Sequence, residues 1–337
     1  MPSQPGGRLI FNLPEFKNLE GLIYDQGKLY SGAITAPQEI SVCYTTTITI
    51  FPLSDWRQPR AHKLAFDHVI LHKRHITAGF SHILFDELFQ LFYVGESAQA
   101  KIDGILNLEN PDRKSHHSAE WPDWIESYLD HKVLPAEPGN QPILIRNAYV
   151  GWLNIHHIAR RDPDFDRMKF VNRLKLRVGA QPQFSEKKII FETRQTNDPR
   201  FARSSGRRQI TNIAELKDVL SDLRVEFLSL GDLSIQEQIR TVASAQVLIG
   251  QHGAAICNSV FMNPGASVIE ILPWDHQYNG FMDLSKLFGV SHNQYREEES
   301  RCRKNETLRD DPRAYIRDQI VDVNPQRLRE HIERVLD

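Results

Sequence analysis

Phosphate-binding chemistry is indicated first by the segment 247–255 (VLIGQHGAA), in which an apolar strand runs into small residues and then a helix. Open α/β sheets bind ligands at the carboxyl ends of their strands, and a helix N-terminus there offers N–H donors to phosphate. Gly253 and Ala254 permit a phosphate to approach the backbone, and His252 can donate to a phosphate or a sugar hydroxyl. A tight turn capped by His252 fits equally well, because the spacing is not that of GxGxxG.

The second segment with this chemistry is 194–208 (RQTNDPRFARSSGRR), which follows another predicted strand and holds five arginines against one acidic residue. Guanidinium groups bind phosphate through two parallel hydrogen bonds, so the segment predicts a diphosphate clamp. Arg194 is the best candidate because it stands closest to the strand end. For any single arginine of the segment, a solvated surface position is the alternative interpretation.

A proton acceptor is indicated in the first half of the chain, where 79–87 reads GFSHILFDE. On a helix, His82 and Asp86 lie at i and i+4 and share a face. His82 falls in the first turn, where the positive end of the helix favours the neutral imidazole that accepts a proton. A polar edge on a core helix is the competing interpretation.

Two further features need a partner or a ligand. Glu270 is a carboxylate inside the apolar strand 267–272 (SVIEIL), and burial requires that something compensate its charge. A ribose diol is one possibility, and a salt bridge to an arginine is the other. Four histidines are close together in sequence, but no cysteine or acidic pair completes a zinc site, so surface or hydrogen-bonded positions are favoured over a metal: His62, His68, His72 and His75.

The elements that would position these residues alternate regularly after residue 182. Strands at 188–193, 225–230, 247–250 and 267–272 are separated by helices, two of which begin with the capping-box patterns NIAE (212–215) and SIQE (234–237). Such alternation predicts a parallel sheet built from βαβ units. The first half mixes strands with helices: strands at 41–51, 68–71, 102–108 and 142–150, and helices at 81–93, 121–129 and 164–178.

Composition places the chain among ordinary globular proteins, with 40% hydrophobic and 25% charged residues. The 41 basic and 43 acidic side chains give a net charge of -2, so no general attraction to nucleic acid or to anionic membrane is expected. The beginning of the sequence lacks the features of a signal peptide, and no segment has the length and apolarity of a membrane span. Three widely spaced cysteines fit a reducing compartment, and we expect a cytoplasmic protein.

Three consecutive patterns resemble the signature of glycosyltransferase family 61, which reads H-G-A-G-L-T-N, then F-x-P-G, then a V-I-E-like strand. Here they are HGAAICN at 252–258, FMNPG at 261–265 and VIEI at 268–271. Ala255 and Cys257 depart from the signature, yet both are small, so the backbone can still cradle a phosphate. Upstream, Arg194 with RRQITN at 207–212 is similar to the family's arginine-rich segment, and SHILFDEL at 81–88 to its N-terminal helix.

The resemblance implies an α/β protein of GT-B type, with two Rossmann-like domains facing an interdomain cleft. It implies inverting transfer from a UDP-sugar, of the UDP-xylose or UDP-N-acetylglucosamine type, to a hydroxyl of a glycan or polysaccharide. The domains expected are an acceptor-side domain at 1–180, a nucleotide-sugar-binding domain at 181–310, and a helical segment at 311–337 that packs back toward the first domain. Neither a metal nor a separate cofactor is expected, because enzymes of this fold generally do not need a metal held by an Asp-x-Asp motif.

The site residues that the resemblance implies fall into two sets. The base is assigned to the 82–87 segment, with His82 favoured over Asp86 and Asp86 over Glu87. The donor is assigned to nine residues: Arg194, Arg207, Arg208, His252, Gly253, Ala254, Ala255, Asn258 and Glu270. A non-catalytic nucleotide- or glycan-binding module on the same fold is the main alternative. A nucleotide-dependent oxidoreductase ranks last, because GxGxxG and the acidic residue about 20 positions later are missing.

Overall fold

The chain was analysed as a computed structural model that divides into two compact units, Met1–Phe165 and Asp166–Asp337. The structure describes residues 16–25, 28–43, 46–56, 64–72, 83–98, 100–108, 126, 129, 131–134, 142–151, 155–180, 188–194, 208–276, 279–306, 310 and 319–337. Within these residues, no helix is both long enough and apolar enough to cross a membrane. The prediction of an α/β protein is confirmed in each unit.

Unit 1 is built on an eight-stranded mixed sheet with the order β3-β4-β2-β1-β8-β5-β6-β7. Strands β5 to β8 are mutually parallel, whereas β1 is antiparallel to both of its neighbours. The strands are β1 (Phe16–Asp25), β2 (Lys28–Ser31), β3 (Gln38–Cys43), β4 (Thr46–Pro52), β5 (Leu64–His72), β6 (Gly104–Asn107), β7 (Val133–Leu134) and β8 (Ile143–Gly151). Two described α-helices belong to this unit: α1 (Phe89–Ser97), which continues a π-helical segment (Ile83–Leu88), and α2 (Ile155–Arg161). A short 3-10 helix (Leu53–Asp55) follows β4.

The single strand predicted at 41–51 is wrong, because the chain reverses there and forms the antiparallel pair β3 and β4. Ile40 lies opposite Ile48 in this pair, and both side chains are buried. β-branched residues continue through both strands, and no glycine, proline or asparagine marks the reversal, so the sequence carries no turn signal. The helix predicted at 121–129 falls almost entirely outside the described residues.

Unit 2 contains a five-stranded, wholly parallel sheet with the order β11-β9-β12-β13-β14. Its strands are β9 (Ile189–Glu192), β11 (Val225–Leu228), β12 (Val247–Gln251), β13 (Ser267–Leu272) and β14 (Ser291–Arg296). A second, small sheet has the order β10-β16-β15, formed by β10 (Gln209–Ile210), β15 (Cys302–Lys304) and β16 (Gln319–Val321). The helices are α3 (Arg167–Arg177), α4 (Ile213–Val219), α5 (Ile235–Ala243), α6 (Gly280–Leu287) and α7 (Pro325–Leu336), and a 3-10 helix (Ala254–Phe261) follows β12.

Both faces of the central strands β12 and β13 are buried, which explains why these two strands are mostly apolar. Ile249 and Ile269 belong to the hydrophobic cluster on one face, and their neighbours Leu248 and Val268 belong to the cluster on the other. Alternate residues of a strand point to opposite faces, so helices must cover each side. The apolar face of α7 is buried in the first of these clusters, within unit 2. The sequence analysis expected this segment to pack toward the first domain.

The two predicted capping boxes have different outcomes. Ser234 and Glu237 form a reciprocal box at the start of α5, as predicted. Asn212 does not cap α4, because its side chain instead pairs with the backbone of Val323, donating to the carbonyl and accepting from the N–H. This pairing joins the segment after β10 to the segment after β16, and local sequence cannot indicate such a long-range contact.

Helix α3 belongs to unit 2, although it precedes the domain boundary expected near residue 180. Its N-cap is Asp166, whose side chain accepts a hydrogen bond from the Lys169 N–H. Lys175 is buried, and its Nζ donates to Oδ1 of Asn263 at 3.0 Å. The Asn263 amide in turn donates to the carbonyl of Ala243, the last residue of α5. This buried bridge holds α3 against the unit that contains the parallel sheet.

Candidate functional site

The strand order of the parallel sheet defines where a ligand would bind. In chain order within unit 2, the sheet reads 2-1-3-4-5, because β11 lies on one side of β9 and β12 to β14 lie on the other. Successive connections therefore leave β9 and β12 in opposite directions and open a crevice between their carboxyl ends. The segments that leave these two strands begin at Thr193 and His252, so the sequence-predicted residues of both segments converge on the switch point.

Two guanidinium groups meet above Gly253 at this switch point. A Cβ atom placed on Gly253 would lie 2.1 Å from one terminal nitrogen of Arg194 and 2.8 Å from one of Arg208. The same Arg208 nitrogen donates to the carbonyl of His252 at 2.7 Å. A side chain at this position would displace the ends of both arginines, whereas the backbone is extended and does not itself demand glycine. The structure brings together the arginines and the turn that the sequence assigned to one phosphate site.

Arg194 is held in an uncommon backbone conformation by a carboxylate that sequence reasoning missed. Its φ is 56°, in the left-handed region that a residue with a side chain seldom adopts. Glu192, at the end of β9, accepts hydrogen bonds from the Arg194 N–H at 2.9 Å and the Leu230 N–H at 2.6 Å. Burial raises the pKa of Glu192, and the two N–H groups oppose that shift. Backbone strain at a strand end is typical of functional sites.

His252 begins a chain of buried polar contacts. Its Nδ1 lies 2.7 Å from Oε1 of Glu270, and Oε2 of the same carboxylate lies 2.9 Å from Nε2 of His292. Burial alone would raise the pKa of Glu270, but the hydrogen bonds from the two imidazoles outweigh it and hold the pKa at about 2. Glu270 is fully buried, so it has no exposed oxygen with which to bind a ribose, and its partners are histidines instead of an arginine.

A second histidine, His276, stands beside His252 and was not singled out from the sequence. The two imidazole rings are 4.2 Å apart between centroids, and Nε2 of the buried His276 has no hydrogen-bond partner among the described residues. Burial lowers the pKa of His276 to about 4, helped by the nearby charge of His252, so its imidazole is neutral at pH 7. Arg296 fixes the loop that carries it, donating to the carbonyls of Pro273, Trp274 and His276.

Three more of the predicted donor residues lie in the 3-10 helix that follows Gly253. Ala254 and Ala255 are half-buried at its start. Asn258 is fully buried, and its amide donates to Oε1 of Gln238 on α5 and to the carbonyl of Ala255. These contacts anchor the helix to α5, so Asn258 supports the turn. Arg207 lies outside the described residues.

The candidate base residues of unit 1 are only partly visible. His82 lies outside the described residues, and for Asp86 only the backbone is described, within the π-helical segment. Glu87 is fully buried, and its Oε2 lies 4.0 Å from Nε2 of the buried His72, the last residue of β5. An acceptor hydroxyl cannot reach a carboxylate that has no exposed surface, so this geometry disfavours Glu87 as the base.

Two of the four histidines considered for a metal are described, and they have different partners. His68 contacts the hydroxyl of Tyr149 through Nδ1 at 2.8 Å, and His72 faces Glu87. His62 and His75 fall in parts of the chain that the structure does not describe. In the part that it does describe, no group of three or more histidine, cysteine, aspartate or glutamate side chains is placed to hold a metal ion.

Replacing Gly253 by alanine is expected to lower the affinity for a nucleotide while leaving the stability of the fold almost unchanged. The new methyl group would displace the ends of two flexible arginine side chains, so the free energy of unfolding should change by about 1 kcal/mol or less. The same displacement moves both guanidinium groups from the switch point, so affinity for a nucleoside diphosphate should fall at least about tenfold. Isothermal titration with UDP and urea denaturation measure the two effects.

The matched control is Gly265→Ala. Gly265 has a φ of +87° and nothing within 4 Å of its would-be Cβ, so alanine there meets backbone strain and no side chain. It should cost about 1 kcal/mol of stability and leave nucleotide affinity unchanged. If the two alanines have the same effect on affinity, the arginines above Gly253 do not form the binding site.

These features define a class of protein: an α/β chain whose second unit is a doubly wound parallel sheet with cationic groups at its switch point. The sequence of residues 80–269 matches the family model of glycosyltransferase 61, which covers more than half of the chain. The chain therefore belongs to the glycosyltransferase 61 family.

Similar proteins of several vertebrates share one name, protein O-linked-mannose beta-1,4-N-acetylglucosaminyltransferase 2. The protein of Tetraodon nigroviridis is 34% identical over 96 residues, which are 27% of this chain and 16% of the relative. That of Xenopus tropicalis is 33% identical over 122 residues, or 34% of this chain and 19% of the relative. That of Danio rerio is 33% identical over 89 residues, or 25% and 15%. The matched segments thus span less than a fifth of these relatives.

Proposed function

We propose that the chain is an inverting glycosyltransferase that moves a sugar from a UDP-sugar to a hydroxyl group of a glycan or polysaccharide. The observation that carries this proposal is the meeting of Arg194 and Arg208 above Gly253 at the switch point of the parallel sheet. Two guanidinium groups above one glycine offer a diphosphate the charge and the paired donors that it needs. Membership of the glycosyltransferase 61 family and the transferase names of the relatives support the same reaction class.

In the proposed reaction, a base takes the proton of the acceptor hydroxyl and the freed oxygen attacks the anomeric carbon. The bond from that carbon to the diphosphate oxygen breaks in the same displacement, and UDP leaves with the electron pair. The developing negative charge on UDP is stabilised by Arg194, Arg208 and the turn at His252. This assignment makes unit 2 the donor-binding part of a GT-B enzyme and unit 1 the acceptor-binding part.

The base is assigned to unit 1, at the start of the π-helical segment and α1. His82 is favoured and Asp86 is second, since Glu87 has no exposed surface. π-Helical turns occur often at functional sites because the extra residue redirects side chains. Substituting either residue should slow turnover without weakening UDP binding, which separates a base from a donor ligand.

The experiment that tests the proposal is a donor screen followed by a turnover assay. Thermal shift with UDP, GDP and CMP should show stabilisation by UDP, since a ligand at 100 times its Kd adds about 2.7 kcal/mol. UDP-xylose and UDP-N-acetylglucosamine are then incubated with glycan acceptors, and released UDP and the anomeric configuration of the product are measured. Stabilisation by GDP or CMP alone, or a product with retained configuration, would contradict the proposal. UDP binding without any sugar transfer would identify a binding module.

Turnover is expected to survive removal of divalent cations. The two guanidinium groups at the switch point neutralise a diphosphate without a bridging metal, which makes a cation unnecessary for departure of UDP. Activity is measured after dialysis against EDTA and again after Mg²⁺ or Mn²⁺ is added back. Loss of activity in EDTA, with recovery on addition of either cation, would show that the mechanism depends on a metal.

A further inference from the structure

One turn at the carboxyl edge of the parallel sheet presents a large aromatic side chain to solvent. Trp274 is 42% exposed, and the other large hydrophobic residues that are exposed in the described part of the chain are leucines. The indole makes no hydrogen bond, ion pair or ring contact with any residue that the structure describes. Its apolar ring therefore stays in contact with water until another ring covers it.

The turn that carries Trp274 lies beside the switch point. It follows β13, the neighbour of β12 in the sheet, so it emerges at the same edge as the turn at Gly253. The His252 N–H donates to the carbonyl of Ile271 at 3.0 Å, which ties the two turns together at this edge. The imidazole of His276 packs on that of His252, with 4.2 Å between the ring centroids. Trp274 is thus two residues from a direct neighbour of the Gly253 turn.

The backbone of this turn is held from several sides. The N–H of its last residue donates to the carbonyl of its first at 3.2 Å, which closes a β-turn over 273–276 with Trp274 at the second position. Arg296, at the end of β14, donates to three carbonyls of the turn. Gln319 of β16 donates to Oδ1 of Asp275 at 2.6 Å. A side chain on a fixed backbone loses less conformational entropy when a ligand packs on it.

Neither the turn nor the core requires a tryptophan at this position. The second position of a β-turn accepts most residue types. The hydrophobic clusters on the two faces of the parallel sheet do not include Trp274. Replacing the indole should therefore leave the turn and both clusters intact, and contact with a ligand explains the choice of residue.

A nucleobase is the ligand that suits an exposed indole at this place. Every base presents a π face that stacks on an aromatic side chain, whatever its hydrogen-bonding groups. A nucleotide whose diphosphate binds at Gly253 has its nucleoside over the same sheet edge, where the turn after β13 is the immediate neighbour. A pyranose ring can also pack on an indole through its C–H groups, but the proposed reaction assigns the acceptor to unit 1.

We propose that Trp274 binds the donor nucleotide by stacking its indole on the base of the nucleoside diphosphate whose phosphates lie at Gly253. The presence of a nucleotide rests on the proposed function, and the inference adds the residue that holds its base. Stacking is tolerant of base identity, so Trp274 contributes affinity for any nucleoside diphosphate that enters the site. Preference for uracil then depends on other contacts.

The test compares a ligand that has a base with one that has none. UDP and inorganic diphosphate are titrated calorimetrically into the unmodified protein and its variants. Trp274→Ala should weaken UDP binding about tenfold and leave the affinity for inorganic diphosphate within about twofold. Trp274→Phe keeps an aromatic face, so its UDP affinity should stay within about threefold of the original. Leu176→Ala removes another exposed apolar side chain of unit 2 and should change neither affinity.

Two results of this comparison would overturn the proposal. One is an unchanged affinity for UDP in Trp274→Ala. The other is an equal loss of affinity for UDP and for inorganic diphosphate, which would mean that the substitution disturbs the phosphate site and that no base stacks on the indole.

Tryptophan fluorescence gives an independent measurement. The chain has five tryptophans, and a base stacked on one of them quenches its emission. Saturating UDP should quench the unmodified protein, and the quenching should be absent in Trp274→Phe, which still binds UDP. The control is Trp56→Phe in unit 1, where the indole donates to Asp25 and stacks on Tyr30, and its quenching should persist. Quenching that survives in Trp274→Phe contradicts the proposal.

The same experiments separate this inference from the proposed function. If neither UDP nor inorganic diphosphate binds the unmodified protein, the proposed function fails and the inference fails with it. If UDP binds with equal affinity to the unmodified protein and to Trp274→Ala, only the inference fails. Unchanged UDP affinity together with a raised KM for the glycan acceptor in Trp274→Ala would assign the indole to the acceptor and overturn the proposal.

Discussion

Replacing Arg194 and Arg208 together by alanine is expected to weaken UDP binding at least a hundredfold. Hydrogen bonds to charged groups contribute about 1.5–3 kcal/mol each, and about 1.4 kcal/mol corresponds to a factor of ten in affinity. Both guanidinium groups stand over the same glycine, so one diphosphate can engage both. The loss is measured by isothermal titration with UDP for the two single variants and the double variant.

The control for these variants is Arg334→Ala. Arg334 is exposed on α7, and its Nε donates to the carbonyl of Glu330 within the same helix. Its loss removes the same charge from the protein without touching the switch point, so UDP affinity should be unchanged. If the double variant binds UDP as tightly as the Arg334 variant does, the switch point does not hold the diphosphate.

Replacing Glu270 by alanine is expected to destabilise the fold by about 3–5 kcal/mol, the usual cost of removing one partner from a buried charged pair. The substitution leaves His252 and His292 facing a cavity without an acceptor. Urea denaturation measures the change. Glu226→Ala is the matched control, since this carboxylate on β11 is 51% exposed and pairs with Lys188 at the surface, where such a pair contributes about 0–1 kcal/mol. Equal losses in both variants would mean that the Glu270 contacts do not stabilise the protein.

Glu270 also makes the free energy of unfolding depend on pH in the acidic range. The folded-state pKa of Glu270 is about 2, against an ordinary value of 4.5, so its stabilising contribution is complete above pH 4.5 and disappears as the pH falls toward 2. At 1.36 kcal/mol per pH unit, this contribution is about 3 kcal/mol. His276 also makes the protein less stable as the pH falls, but between about pH 6.5 and 4. Its imidazole takes up a proton near pH 6.5 in the unfolded chain and only near pH 4 in the folded protein. Denaturation of Glu270→Gln across this range should show a flatter dependence than the unmodified protein.

The sequence predicted the parallel sheet well because local pattern and tertiary position agree there. Strand β13 was predicted at its observed bounds, since apolar residues and a following proline mark its limits. The sheet order could not be predicted in the same way, because several arrangements of βαβ units fit one sequence of elements. That order is what brings Arg194 to the turn at Gly253, across 59 positions of the sequence.

The residues that the sequence did not reveal act through long-range contacts. Glu192 and Glu270 are both carboxylates within apolar strands, and this signal was used for Glu270 alone. Glu192 ends the strand IIFE and needs a buried partner for the same reason, so the signal was present. For His292 and Arg296 there was none, because strand β14 is polar and its contacts with the carboxyl ends of neighbouring strands appear only after folding.

The buried bridge between Lys175 and Asn263 determines where the second unit can be excised as an independent fragment. A fragment that starts at residue 181 would lack Lys175 and would leave the Asn263 amide oxygen without its donor. It would also uncover the apolar surface that Phe170 and Leu174 of α3 now shield. A fragment that starts at Asp166 keeps the helix, its cap and the bridge, so we expect the fragment of the second unit that begins 15 residues before the boundary read from the sequence to be the more stable one.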